Sequence, residues 1–221
     1  MEHNTLRGAI LDLDGTLLDS MNVWSQIDKE LLTGYGIAPP EGISDIVKKM
    51  TIEESSRYLI ERFSLPVTPE QIAAQVEEMA AHQYREVLPL KDGAMELLDG
   101  LDAMGIRYGV ATATYPALAK AALDRLGILP RLEFLLTEQE TGTGKTEPAI
   151  YYEGARRLGL GRRQIIVAED ALHSIRTAKR AGFFTAGIYD KATPAEEWKA
   201  ICAAATVSVY KISDLLKLIS I

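Results

Sequence analysis

Residues 8–20, Gly-Ala-Ile-Leu-Asp-Leu-Asp-Gly-Thr-Leu-Leu-Asp-Ser, constrain the fold more than any other stretch of the chain. Ala9 to Leu11 form a short apolar run of the kind that a strand buried on both faces shows. Asp12 and Asp14 follow two residues apart, and Gly15-Thr16 come at once. In an open parallel sheet, ligands sit off the carboxyl ends of the strands, so both aspartates would point into such a crevice. Taken alone, the pattern is also that of a strand closing in an Asp-Gly turn. Its meaning therefore rests on the company it keeps.

Residues 20 to 89 read as helical throughout. Trp24, Ile27, Leu31 and Leu32 recur at helical spacing, and Gly34 and Gly36 close that segment. Thr51 with Glu54 has the capping-box pattern, and Thr68, Pro69 and Gln71 repeat a start signal with Pro at the first helical position. From Pro89 the pattern changes to alternation. Helices predicted at 94–98, 116–126, 148–158 and 171–181 alternate with apolar strands at 108–111, 132–136, 164–168 and 184–188. A last helix, a strand at 207–210 and a helix at 213–219 follow. Such alternation means right-handed crossovers and a parallel sheet covered on both faces. The fold class is α/β, a Rossmann-like doubly wound parallel sheet with an inserted all-helical domain. The expected division is a core of residues 1–18 plus 90–221 and a helical cap of residues 19–89, placed where it would act as a water-excluding lid.

Composition narrows the functions available. The net charge of −7 argues against a clustered basic face for nucleic acid. No run of about 18 apolar residues offers a membrane span, and the N-terminus lacks a signal-peptide layout. The single cysteine, Cys202, cannot form an internal disulfide and fits a reducing compartment. The expectation is a cytoplasmic protein, by default a monomer. Cys202 lies in an alanine-rich segment and reads as a small core residue. Lys48-Lys49 and Arg156-Arg157 read as solvated helix faces.

In a parallel sheet every strand's carboxyl end faces one crevice. The first strand brings Asp12 and Asp14, and the second Thr112-Ala113-Thr114. The third brings Glu138 and a loop through Lys145, and the fourth Glu169-Asp170. Packed carboxylates repel unless a cation sits among them. Oxygen ligands favour a hard ion, and Mg²⁺ is the usual choice beside phosphate. A lysine and hydroxyls nearby are what a phosphoryl group needs for charge neutralisation and orientation. Phosphoryl transfer with an aspartate nucleophile follows.

These motifs resemble the haloacid dehalogenase superfamily, in its capped phosphatase and phosphomutase branch, the beta-phosphoglucomutase-like group. Asp12-Leu13-Asp14-Gly15-Thr16 is similar to that family's DxDGT motif. Thr112 matches its strand-end Ser/Thr, Lys145 its phosphate-binding lysine, and Glu169-Asp170 its acidic metal motif. Leu17-Asp19-Ser20, Gly144-Lys145 with Pro148, Ile150-Tyr151 and Ala178 with Ala181-Gly182 extend the match over nearly the whole chain. The resemblance implies a role for each position. Asp12 would carry an aspartyl-phosphate, and Asp14 would serve as acid and then base. Mg²⁺ would be held by Asp12, the Asp14 carbonyl, Asp170 and Glu169. Thr112 and Lys145, with backbone amides near Gly15 and Ala113, would hold the phosphate.

The chain departs from the family pattern at Thr146 and Ala149, where Pro and Asp are common, and at Ala171 and Ser174 after the metal motif. These changes touch the support of the site more than its catalytic atoms. A Walker A reading of Gly142 to Thr146 fails because position 139 is Gln139 rather than glycine. His3, His82 and His173 show no metal-ligand spacing. Met21 and Trp24 fit either the lid side of the pocket or the cap core. The expected function is hydrolysis of a small phosphorylated metabolite. A sugar phosphomutase and a catalytically silent binding module of the same fold are the alternatives. A mutase needs a cap cation for a second phosphate, and before Arg57 the cap offers only lysines such as Lys48 and Lys49.

Overall fold

The computed structural model describes residues 6–47, 50 and 52–219. His3, the Lys48-Lys49 pair and the capping signal at Thr51 lie outside the described residues. The chain divides into two compact units, Met1–Asp19 with Leu88–Ile221, and Ser20–Val87.

The first unit is built on six parallel strands: β1 Gly8–Leu11, β2 Arg107–Thr112, β3 Leu135–Thr137, β4 Ile165–Glu169, β5 Phe184–Ile188 and β6 Val207–Val209. Their spatial order is β3-β2-β1-β4-β5-β6. The chain thus builds outward from β1 on one side and then crosses to β4 on the other. That reversal of winding is the place where open α/β sheets bind ligands. Register keeps the strand ends level, with Leu11 opposite Ala168 and Thr112 opposite Thr137.

The strands are apolar because both faces are covered. Ile10, Ala111, Leu136 and Val167 form one buried cluster with Ile150, Tyr151 and Leu158 of a helix at Ala149–Leu158. Alternate residues Ala9 and Leu11 point to the opposite face and are equally buried. The predicted strand at 132–136 begins later than expected. A 3-10 turn at Leu129–Arg131 takes up the approach, and Phe134 turns inward over Gly109 instead. A Cβ on Gly109 would lie 2.5 Å from that ring. Gly109→Ala is therefore expected to overpack the core by about 1–3 kcal/mol. A thermal melt should show Tm lowered by roughly 2–10 °C, and an unchanged Tm would mean that the ring moves aside freely.

Cys202 is exposed, contrary to the core position expected for it. On the helix Ala195–Ala204 the inward face is taken by Trp198 and Ile201, and the next residue turns about 100° away.

The second unit is helical: Met21–Gly34, Ile43–Val47, Ile52–Phe63 and Pro69–His82, closed by a π-turn at Gln83–Val87. Leu31, Leu32, Ile43, Leu59 and Ile72 make its apolar centre. Thr68 caps the last long helix as its sequence predicts. The Gln71 amide N–H donates to Thr68 Oγ1 at 3.4 Å, and the Thr68 amide donates to Gln71 Oε1 at 2.9 Å. Met21 is exposed and Trp24 half-buried, outside that apolar centre. Among the described residues, no helix is long and apolar enough to cross a membrane.

Candidate active site

β1 delivers its aspartates through a turn that only glycine completes easily. Gly15 sits at φ 78°, in the left-handed region, and its amide N–H donates to the Leu18 carbonyl at 3.0 Å. That bond closes the turn between Asp14 and Leu18. The Asp12 amide N–H donates to the Ala168 carbonyl at 3.0 Å, tying the end of β1 to β4.

Lys145 stands at the centre of the charge. Its Nζ donates to Asp12 Oδ1 and lies 2.9 Å from Glu169 Oε1, with all three side chains nearly inaccessible to water. The loop that presents it is pinned by the residue that follows β3, since the Lys145 amide N–H donates to Glu138 Oε1 at 2.6 Å. Tyr151 closes the far side, its hydroxyl donating to Glu169 Oε1 at 2.9 Å. Burial works against the ammonium, but the Asp12 and Glu169 carboxylates outweigh it, and the lysine pKa is raised. Burial pushes the Glu169 carboxyl up to about 7, with Lys145 pulling the other way. Asp170 is raised well above the usual carboxylate range, first by burial and then by the charges of Asp12 and Glu169.

Carboxylate oxygens of Asp12, Glu169 and Asp170 lie within 4.8 Å of one another. Lys145 makes ion pairs with the buried Asp12 and Glu169, and the half-buried Asp170 brings a third carboxylate beside them. The oxygen donors and the excess negative charge fit a hard divalent cation. The Asp14 carboxylate lies outside this trio. Its Oδ2 accepts from the Thr114 hydroxyl, so its carboxylate is directed toward the end of β2. Thr112 ends β2 and is buried, its Oγ1 accepting from the Thr114 amide at 3.0 Å. Ala113 lies between them, just past the end of β2.

Two supporting residues were not singled out in the sequence. Lys91 donates to the Gly15 carbonyl and pairs with the buried Asp190 carboxylate at 2.7 Å. The ion pair thereby clamps the turn that carries Asp14. Asp190 lies two residues beyond β5, so the strand-end rule extended to the fifth strand would have found it. Lys91 has no such signal. Tyr151 belongs to a motif noticed in the sequence, but its bond to Glu169 depends on tertiary packing. His173 is exposed on the helix Leu172–Arg180. Of the family departures, Thr146 takes its place through its carbonyl, which accepts from Thr177 Oγ1 at 3.1 Å. Nothing in the structure explains Ala171.

A family model, haloacid dehalogenase-like hydrolase, matches residues 6–182. The chain is 31% identical over 180 residues to validoxylamine A 7'-phosphate phosphatase of Streptomyces hygroscopicus subsp. limoneus, covering 81% of this chain and 84% of that one. It is 28% identical over 176 residues to hexitol phosphatase A of Escherichia coli, covering 80% of each. In fold it is similar to the crystal structure of CbbY from Rhodobacter sphaeroides in complex with phosphate. The TM-score is 0.76 at 20% identity, covering 95% of this chain and 96% of the other.

Proposed function

Because the chain belongs to the haloacid dehalogenase-like hydrolases, we propose that it is a Mg²⁺-dependent phosphatase. Its substrate is a small phosphorylated metabolite, and Asp12 is its nucleophile. One observation carries this reading: Lys145 bridges Asp12 and Glu169 beside Asp170, where the winding of the sheet reverses.

The chemistry follows from the charges. Asp12 Oδ attacks phosphorus in line, a P–O bond forms to the carboxylate, and the bond to the leaving oxygen breaks. Asp14 gives that oxygen its proton, and its carboxylate then takes one from the water that cleaves the aspartyl-phosphate. Thr114 holds the Asp14 carboxyl in position for both steps. Thr112 and Lys145 hold phosphoryl oxygens, with the Ala113 backbone alongside. Asp12, Glu169, Asp170 and the Asp14 carbonyl would hold Mg²⁺. When bound, the ion supplies charge neutralisation to the phosphoryl group.

The reading is tested with purified protein and a panel of small phosphomonoesters. Turnover should require added Mg²⁺, stop with a chelator and return when Mg²⁺ is restored. Metal-independent turnover would overturn it.

Burial raises Glu169 to about 7, so without metal the folded state binds more protons than the unfolded chain between the ordinary glutamate range and that value. Stability of the metal-free protein then falls as pH rises through that window. Mg²⁺ competes with those protons, and its stabilisation grows as they leave. The Mg²⁺-induced rise in Tm is expected to be small at about pH 5.5 and larger at about pH 8. An equal rise at both would show that these carboxyls are not the ligands.

A further inference from the structure

Asp14 hangs between two chain neighbours of very different stiffness. Leu13 is fully buried, and its carbonyl accepts from the amides of Leu17 and Leu18 at 2.9 and 2.8 Å. Gly15, on the other side, sits at φ 78° and is the residue type with the widest range of backbone angles. A carboxyl that must hand over a proton tolerates little drift, since a displacement of about 1 Å can cost about 10²-fold in rate. Gly15 therefore has to be held from outside the turn. Its amide is engaged by Leu18 within the turn, and its carbonyl accepts from the Lys91 ammonium. The Lys91 amide N–H donates to the Leu17 carbonyl at 2.8 Å, so one residue grips the turn at two points.

The ammonium is itself fixed in direction. Asp190 Oδ2 lies 2.7 Å from it, and Asp190 Oδ1 accepts from the Ala192 amide at 2.7 Å, so both carboxylate oxygens are engaged. The Asp190 side chain is 1% exposed and that of Lys91 14%. A buried ion pair adds little stability over well-packed apolar residues of similar volume. Apolar residues could not supply the charge-assisted bond to the Gly15 carbonyl. We infer that Lys91 and Asp190 are positioning residues for the acid–base step: they fix the Gly15 peptide and thereby direct the Asp14 carboxyl at the leaving oxygen. Asp190 lies two residues beyond β5, so a fifth strand end joins the four that carry the reacting groups. This rests on the phosphatase reading of the same site and adds two residues to its machinery.

The test uses the full chain with Mg²⁺ and two substrates of nearly the same shape, phenyl phosphate and p-nitrophenyl phosphate. When the P–O bond breaks, its electron pair stays on the leaving oxygen. Phenolate then depends on the Asp14 proton, whereas nitrophenolate leaves readily without it. Lys91→Met is expected to lower kcat/KM for phenyl phosphate about 30-fold and for p-nitrophenyl phosphate less than about threefold. On p-nitrophenyl phosphate, kcat and KM should fall together, because the aspartyl-phosphate still waits for the water that Asp14 activates. Asp190→Asn keeps the shape and an oxygen for the Ala192 amide, and should show the same selective loss, about 3–10-fold on phenyl phosphate. It decides the matter if Lys91→Met does not fold. In an Asp14→Ala background, Lys91→Met should change phenyl phosphate by less than about twofold, since the group it directs is gone. Equal losses on the two substrates, no loss on either, or a further tenfold fall in the Asp14→Ala background would overturn the inference while leaving a phosphatase. No turnover of either substrate by the unaltered protein would overturn the phosphatase reading and this inference with it.

Discussion

Asp12→Asn is expected to lower phosphatase turnover by about 10³-fold or more while the protein still folds. The two side chains have the same shape, and an amide oxygen can still accept the Lys145 bond. What is lost is the carboxylate as nucleophile, since a neutral amide does not form the phosphoryl ester. Asn also removes one of three carboxylates that crowd together. The metal-free variant should therefore melt no lower than the unaltered chain at about pH 8, where that repulsion is greatest. Turnover measured on small phosphomonoesters, alongside a thermal melt, checks both parts. Activity within tenfold of the original would place the nucleophile elsewhere. A collapsed melt would mean that Asp12 holds the fold as well as the site.

Lys145→Met should cost both activity and stability, and the two can be separated by pH. For activity, the loss of a charged donor to the phosphoryl oxygens predicts a fall in kcat of about 10²–10³-fold. Stability suffers because a methionine fills the lysine's volume but leaves Asp12 and Glu169 buried without their partner. Removing one member of a buried pair costs about 3–5 kcal/mol when the remaining charge has no relief. Here relief exists, because the carboxyls can take up protons. The ammonium lowers Glu169, so its removal raises that carboxyl further. The folded variant then holds protons that the unfolded chain gives up as pH rises, and its deficit in stability widens from about pH 5.5 to about pH 8. Melts of both proteins in chelator at these two pH values give the comparison. A constant deficit would mean that Lys145 matters for packing alone.

Much of this site could be read from sequence because strand ends are local features. Asp12, Thr112, Glu169 and Asp170 each follow an apolar run, and a parallel sheet sends all such positions to one side. Lys145 belonged with them through its place after the third strand. Gly15 was legible as a turn residue but not in its use of the amide, since that bond to Leu18 appears only once the turn is closed. Cys202 failed for a similar reason. An alanine-rich helix has little amphipathic contrast, so its facing is set by where Trp198 and Ile201 find their partners.

The α/β class, the interruption of the sheet by a helical block, and the residue types that make phosphoryl chemistry possible are all legible along the chain. Periodicity and chain order are enough for these, because burial of apolar faces leaves few ways to arrange such segments. How the charges are shared depends on the folded chain. It joined Lys145 to Asp12 and Glu169, turned Asp14 toward Thr114, set Tyr151 on Glu169 and clamped the Gly15 turn with Lys91 and Asp190. These contacts join residues as far as 133 positions apart. Ion pairing at that range depends on distances of a few ångströms, which no local pattern encodes.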